Sequence, residues 1–163
     1  MSRGILSELP NGLKVATRAM PQVQSLSVGI WVKAGARDER DSETGIAHML
    51  EHMAFKGTER RSARDIATEV ENVGGYMNAH TSREETAYYL RLLPEYLDMG
   101  IDILADILTE PTMPDEEIER ERGVIIQEIG QSVDTPDDIV FDMFAKASYG
   151  SHTLGRPILG SVD

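Results

Sequence analysis

Short segments in which apolar and polar residues alternate mark the strands of this chain. Two of them flank Pro10-Asn11-Gly12, a combination that is typical of a β-hairpin turn. The alternation predicts strands at residues 5–9, 14–18, 25–32 and 86–92.

Longer segments with apolar residues three or four positions apart predict helices. Ser62 and Asp65 have the spacing of a capping box, so one helix is expected to start there and to end near Gly74 and Gly75. Further helices are predicted around 46–53, 94–108, 115–131 and 136–147. Strands come first and helices later, without regular strand–helix alternation. This order predicts an α+β fold, with helices packed on one face of a mixed, largely antiparallel sheet.

The predicted helix around residues 46–53 carries two histidines. His48 and His52 are four residues apart, so both imidazoles lie on one helix face and can reach the same metal ion. Glu51 borders that face, and the order His-x-x-Glu-His is a pattern of zinc peptidases. The simpler alternative is a pair of half-buried histidines without a metal. An apolar stripe on this helix favours the metal site, because a buried histidine needs a hydrogen-bond partner or a metal.

A catalytic zinc site needs a third protein ligand, and the best candidate lies in the predicted helix at 115–131. Glu121 and Glu128 are seven residues apart and therefore share a helix face. Glu128 lies among isoleucines, where a carboxylate is unfavourable unless it is paired or bound to a metal. Glu121 alone is more simply explained as part of the solvated charge run that starts at Asp115.

Longer motifs carry a resemblance to a known family. The segment GIAHMLEHMAFKGT at 45–58 resembles the zinc helix of the pitrilysin family of zinc peptidases, and Glu128 follows His52 by 76 positions, the family's spacing to its third ligand. Residues 74–84 and 152–157 match further family segments. The family includes pitrilysin, insulin-degrading enzyme and the mitochondrial processing peptidase. The chain looks most similar to bacterial members that are like the β-subunit of the processing peptidase.

The resemblance implies a zinc-dependent endopeptidase that hydrolyses bonds in peptides or presequence-like segments. By this resemblance, His48, His52 and Glu128 would bind Zn²⁺. Glu51 would be the general base that takes a proton from the zinc-bound water. Glu121 would be a supporting carboxylate of the catalytic centre.

Five residues are candidates for contacts with substrate. In the family, the strand that holds Asn78 and Ala79 is an edge that pairs with the extended substrate backbone, although an ordinary strand end is the alternative. Asp138 and Asp142 resemble acidic residues with which the processing peptidase β-subunit holds a substrate arginine. Asp138 has a second explanation as the acidic end of a capping box. Phe55 is expected either to line the pocket for the residue after the scissile bond or to pack in the core.

The amino-acid composition limits the classes of partner and of chemistry that are expected for this chain. The 28 acidic and 16 basic residues give a net charge of −12, which argues against nucleic acid and suits basic peptides. The absence of cysteine excludes disulfides and thiol catalysis. The sequence contains no apolar run long enough to predict a membrane span, and its N-terminal residues do not resemble a signal peptide. A bacterial cytoplasm is therefore the simplest compartment, although a removed export signal would leave the same sequence and the periplasm stays open.

The 163 residues are enough for one domain. Residues 1–163 are expected to form most of an N-terminal zinc-binding domain, with the missing C-terminal half or a partner subunit completing the enzyme. The fragment alone is expected to bind zinc but to cleave peptides poorly. A non-catalytic structural subunit and a peptide-binding partner subunit are the competing interpretations, and the complete zinc motif favours the enzyme.

Overall fold

The computed structural model describes residues 3–162; Met1, Ser2 and Asp163 lie outside the described residues, so the predicted domain of 1–163 is described here without them. The strands form two antiparallel sheets, a two-stranded β1-β2 hairpin and a three-stranded sheet in the order β3-β5-β4. Both the predicted hairpin and the predicted strands are therefore present. The strands are β1 (Ile5–Glu8), β2 (Lys14–Thr17), β3 (Leu26–Val32), β4 (Tyr76–Thr81) and β5 (Thr86–Leu92).

Five α-helices lie within residues 3–162, and with the sheets they confirm the α+β class. All strand pairs are antiparallel, and residues 94–96 form a 3₁₀ turn rather than the first turn of the third helix. None of the described helices is both long and apolar enough to cross a membrane. The helices are α1 (Ile46–Ala54), α2 (Ala63–Asn72), α3 (Leu97–Thr109), α4 (Asp115–Asp134) and α5 (Pro136–Tyr149).

The core lies between one face of the three-stranded sheet and helices α2 and α3. Leu90 and Leu92 of β5 join Ile103 and Ile107 of α3 in a single buried cluster. Each such side chain contributes about 1.5–3 kcal/mol when it leaves water. Helix α3 approaches β5 so closely that a Cβ on Gly100 would lie 2.5 Å from the Cδ1 atom of Leu92. The small residue at this position therefore allows the helix to sit directly on the sheet.

The segment between α1 and α2 is tied to α3 by a buried carboxylate. Asp106 is only 1% exposed and accepts hydrogen bonds from Thr58 (2.8 Å), Arg61 (2.7 Å) and Arg60 (2.9 Å). Burial alone would raise the pKa of Asp106, but the hydrogen bonds from Arg61, Thr58 and Arg60 outweigh it and hold that pKa below its usual range. The chain that leaves the histidine-bearing helix is thus fixed against the core.

The two capping boxes predicted from sequence have different outcomes. At α2 the box is present, because Ser62 accepts from the Asp65 amide at 3.2 Å and Asp65 accepts from the Ser62 amide at 3.0 Å. At α5 no side chain caps the helix start, so the alternative explanation of Asp138 as the acidic end of a capping box is wrong. Thr135 follows α4 directly, and its hydroxyl donates instead to the Gln131 carbonyl of that helix at 2.8 Å. The charge of Asp138 is therefore not used in a cap.

Candidate metal centre

The start of helix α1 is set by a buried glutamate several residues upstream. Glu39 is 7% exposed, and its two carboxylate oxygens accept hydrogen bonds from the amides of Gly45 and Ala47, each at 2.9 Å. These amides belong to the first turn, which has no intrahelical acceptors for its N–H groups. Gly45 has a φ of +92°, and a Cβ there would lie 2.8 Å from the carbonyl oxygen of Leu159. The helix therefore begins at a fixed place and in a fixed direction.

Helices α1 and α4 bring three potential metal ligands together. The Nε2 atoms of His48 and His52 are 3.3 Å apart, and each lies 3.7 Å from the same Oε2 atom of Glu128. A tetrahedral zinc site with bonds of about 2.0–2.1 Å has ligand atoms about 3.3 Å apart. The three atoms thus form a triangle close to the size that one zinc ion requires.

The protonation of the two histidines suits a cation at the centre of this triangle. Nδ1 of His52 lies 2.9 Å from Glu121, so in the neutral ring this nitrogen carries the proton and Nε2 presents a lone pair. Burial and the neighbouring His52 lower the pKa of His48, while Glu51 and Glu128 act in the opposite direction. Neutral imidazole is the form that binds a metal. One ligand atom each of His48, His52 and Glu128 therefore lies close enough to the others to share one metal ion.

Glu121 holds one of these ligands in place rather than joining the triangle. It is 5% exposed, which excludes the solvated charge run as its environment. Its Oε2 atom accepts from Nδ1 of His52, and its Oε1 atom lies 2.6 Å from the Nζ atom of Lys56. Burial raises the pKa of Glu121, but the hydrogen bonds from Lys56 and His52 outweigh it and lower that pKa. Glu121 is therefore an ionised hydrogen-bond partner of His52, the kind of contact that orients histidine ligands in metal sites.

Glu51 lies beside the triangle and is held by the sheet. The hydroxyl of Thr81, the last residue of β4, donates to Glu51 Oε2 at 2.5 Å. Tyr88 of the neighbouring strand is 5% exposed, and its burial, together with the charge of Glu51, raises its pKa to about 12. The phenol therefore stays neutral at physiological pH. Glu51 is therefore a carboxylate outside the ligand triangle that is held by one hydroxyl and is close enough to His48 to act on its pKa.

The predicted substrate strand lies at an edge of its sheet. Among the described strands, β4 pairs with β5 on one side and with no strand on the other. Within it, the amide of Ala79 donates to the side-chain oxygen of Asn78 at 2.9 Å, and the Asn78 amide group donates to the Tyr76 hydroxyl at 2.7 Å. The edge that β-augmentation needs is therefore present, while the role of Asn78 and Ala79 in binding substrate stays a prediction.

The other three candidates for substrate binding have different surroundings in the structure. Asp138 is exposed on α5. Asp142 already has a partner in the chain, because Arg83 from the β4–β5 turn donates to its Oδ1 atom at 2.8 Å. Phe55 is partly buried, packs against the core cluster and has its ring 6.1 Å from that of Tyr88. Asp142 is therefore paired within the chain, whereas Asp138 is exposed, and the role of both in binding substrate stays a prediction.

Several residues that support the centre were not predicted from the sequence. Lys56 lies four positions after His52, so helical spacing could have revealed it. Thr81 and Arg83 lie in the segment 74–84, whose resemblance to the family was the available signal for them. Glu39 lies in a polar loop, and no periodicity links it to the helix that it caps. Such a contact becomes visible only when the loop is placed in three dimensions.

Comparison with known proteins agrees with this geometry. The mitochondrial-processing peptidase subunit beta of Saccharomyces cerevisiae is 47% identical over 156 residues, which are 96% of this chain and 34% of that protein. An uncharacterized zinc protease of Bacillus subtilis is 44% identical over 153 residues, which are 94% of this chain and 37% of that protein. The chain therefore spans about a third of the length of these curated relatives.

Solved structures share the fold. A protease from Helicobacter pylori superposes with a TM-score of 0.92 at 27% sequence identity, covering 99% of this chain and 39% of that one. The model of the family described as Insulinase (Peptidase family M16) matches residues 14–162, nearly the whole chain. The resemblance to the pitrilysin family that was predicted from the motifs is thereby confirmed. The chain belongs to peptidase family M16.

Proposed function

We propose that this chain is the metal-binding domain of a zinc-dependent endopeptidase. The observation that carries the proposal is the cluster of one ligand atom each from His48, His52 and Glu128. The carboxylate of Glu51, which is not one of the three ligands, is held nearby by Thr81. The Saccharomyces and Bacillus relatives are named a processing peptidase subunit and a zinc protease, which supports the same reaction class. The donor set of two imidazoles and one carboxylate is that of catalytic zinc sites in other peptidases.

In the proposed mechanism, His48, His52 and Glu128 hold the metal. When bound, zinc supplies a Lewis acid that polarises a carbonyl and makes water acidic enough to ionise near neutral pH. Glu51 accepts a proton from the attacking water and later delivers it to the leaving amine. Thr81 keeps Glu51 oriented for both transfers, and Glu121 keeps His52 oriented towards the metal.

The same proposal gives β4 the task of holding the substrate. An extended peptide would add to the free edge at Asn78 and Ala79, where main-chain hydrogen bonds give affinity with little demand on sequence. Because β4 ends at Thr81, which contacts Glu51, a peptide on this edge would run towards the candidate metal centre. Phe55, packed on the core beside Tyr88, would border the pocket for the residue after the scissile bond.

The extent of the active enzyme is part of the proposal. We propose that residues 1–163 are most of the N-terminal domain and that a further C-terminal half or a partner subunit closes over the substrate. The relatives, which are almost three times as long as the matched segment, support this arrangement. A bacterial cytoplasmic location is a further prediction, which cell fractionation would check.

A basic residue near the scissile bond is expected to interact with α5. Asp142 is already paired with Arg83, so the exposed Asp138 would make the first contact with the basic residue. Asp142 could bind that residue only after releasing Arg83. Replacing both with Asn is expected to lower kcat/KM for an arginine-containing peptide by about three- to tenfold, the size of two partly exposed ion pairs. The same peptide with glutamine in place of arginine is the control. An equal loss on both peptides would refute a role in specificity.

The proposal as a whole is tested by metal content and peptide hydrolysis. We expect the purified protein to hold about one zinc ion per chain, the number that a single three-ligand site takes. We also expect the full-length protein to hydrolyse unstructured peptides, to lose this activity with a chelator and to recover it with zinc. Absence of zinc even after it is added back would contradict the proposal. Bound zinc without hydrolysis by the full-length form would favour a non-catalytic subunit.

A further inference from the structure

Lys56 has no ligand role, yet it completes a chain of contacts that ends at the metal position. It lies just beyond the last residue of α1, and its amide donates to the Met53 carbonyl at 3.1 Å. Its Nζ atom is 2.6 Å from Glu121 Oε1, while Glu121 Oε2 contacts Nδ1 of His52 at 2.9 Å. Lys56, Glu121 and His52 therefore form one continuous series of charged and polar contacts.

The two oxygens of Glu121 are fully divided between these two partners. The side chain of Glu121 is 7% exposed and that of Lys56 is 26% exposed, so little solvent is available to replace either contact. Removing one partner of a buried ion pair leaves an uncompensated charge, which forces the remaining group to turn or to draw in water. Without Lys56, the contact with His52 would be the remaining one of the two that hold the carboxylate.

We propose that Lys56 is a positioning residue of the metal centre. It fixes the carboxylate of Glu121 in the orientation that keeps Nε2 of His52 directed at the metal position. The inference rests on the proposed metal site, and it adds a residue that neither contacts the metal nor lies in the ligand triangle.

If the charge of Lys56 acted only through space, its removal would change the zinc affinity in the opposite direction. The direction of that change therefore tests the inference. A lysine ammonium near a site repels a divalent cation, so removal of Lys56 would strengthen metal binding if its charge acted only through space. If Lys56 acts by positioning, its removal weakens metal binding. Partners one contact removed from a metal usually affect affinity by about 10–100-fold, so a group one contact further out is expected to contribute about three- to tenfold.

The test is the dissociation constant for Zn²⁺, measured by competition with a chelator. Lys56→Met, which keeps most of the stem and removes the charge, is expected to bind zinc about three- to tenfold more weakly than the parent. Lys56→Arg retains donors for Glu121 and is expected to recover most of the loss. Lys146→Met on α5 is the matched control and is expected to bind like the parent. If Lys56→Met does not fold, as judged by circular dichroism, Lys56→Gln takes its place.

A double-variant cycle shows whether Lys56 acts through Glu121. In a Glu121→Gln background, Lys56→Met is expected to have no further effect on zinc affinity, because the carboxylate it positions is gone. An equal loss in both backgrounds, or unchanged or tighter binding by Lys56→Met alone, would overturn the inference while leaving the proposed function intact. A parent that binds no zinc would instead reject both.

Discussion

Glu128→Gln should release zinc from the purified chain while leaving its fold intact. Glutamine has nearly the same shape as glutamate but offers a neutral amide oxygen, a far weaker ligand for zinc than a carboxylate. Glu128 supplies the only carboxylate oxygen of the ligand triangle found among residues 3–162, 3.7 Å from both imidazole nitrogens. We expect zinc affinity to fall by more than about 100-fold, beyond the range usual for partners that do not touch the metal.

Zinc content per chain and the dissociation constant measure this effect, and thermal unfolding with and without zinc gives an independent reading. A ligand present at about 100 times its dissociation constant stabilises the folded state by about 2.7 kcal/mol, and the variant should lose this zinc-dependent gain. Glu119→Gln makes the same chemical change on the same helix at an exposed side chain and serves as the control. A Glu128→Gln protein that holds zinc as tightly as the parent would exclude Glu128 as a ligand.

Glu51→Gln should have the reverse profile, with zinc retained and hydrolysis lost. The amide cannot accept a proton from water, but its oxygen can still accept the hydrogen bond from Thr81. General acid–base groups contribute about 10²–10⁴-fold to rate, so a fall in kcat of that size is expected in the full-length protein. Zinc content should stay near that of the parent, because Glu51 is outside the ligand triangle.

The two measurements together distinguish the roles of the carboxylates. Loss of zinc from Glu51→Gln would show that Glu51 is a ligand or a support of the ligands. Full hydrolysis by the variant would show that another group is the base. Glu119→Gln is again the matched control, since Glu119 is exposed and contacts neither the histidines nor Glu51.

Sequence reasoning reached the parts of this site that are encoded locally. The spacing of His48 and His52 fixes their shared face, because a helix repeats every 3.6 residues whatever surrounds it. The strand at 86–92 was predicted with its observed bounds. The position of Glu128 among isoleucines made it a candidate ligand. Its link to His52 came from the family's spacing, because no local rule brings together two helices whose residues are 76 positions apart.

Interactions that depend on where elements pack were the ones that sequence could not supply. The buried state of Glu121 contradicts the simplest reading of a charge run, because the helix face it occupies is decided by the contact of α4 with α1. The pairing of Asp142 with Arg83 joins α5 to the β4–β5 turn, two elements whose distance no periodicity predicts. The capping box considered for Asp138 does not form, and the cause is local. The Thr135 hydroxyl donates to Gln131 at the end of α4 and does not cap α5.

The open edge of β4 has a consequence for how the protein behaves at high concentration. Natural sheets usually protect an edge with charged residues, proline or a covering segment, because unpaired main-chain groups also template pairing with another copy. The strand Tyr76–Thr81 contains no proline, lysine, arginine or acidic residue, and the contact from the Asn78 side chain satisfies the amide of Ala79. This edge is thus available to another copy of the chain as well as to the peptide proposed above, and a peptide bound there would cover it.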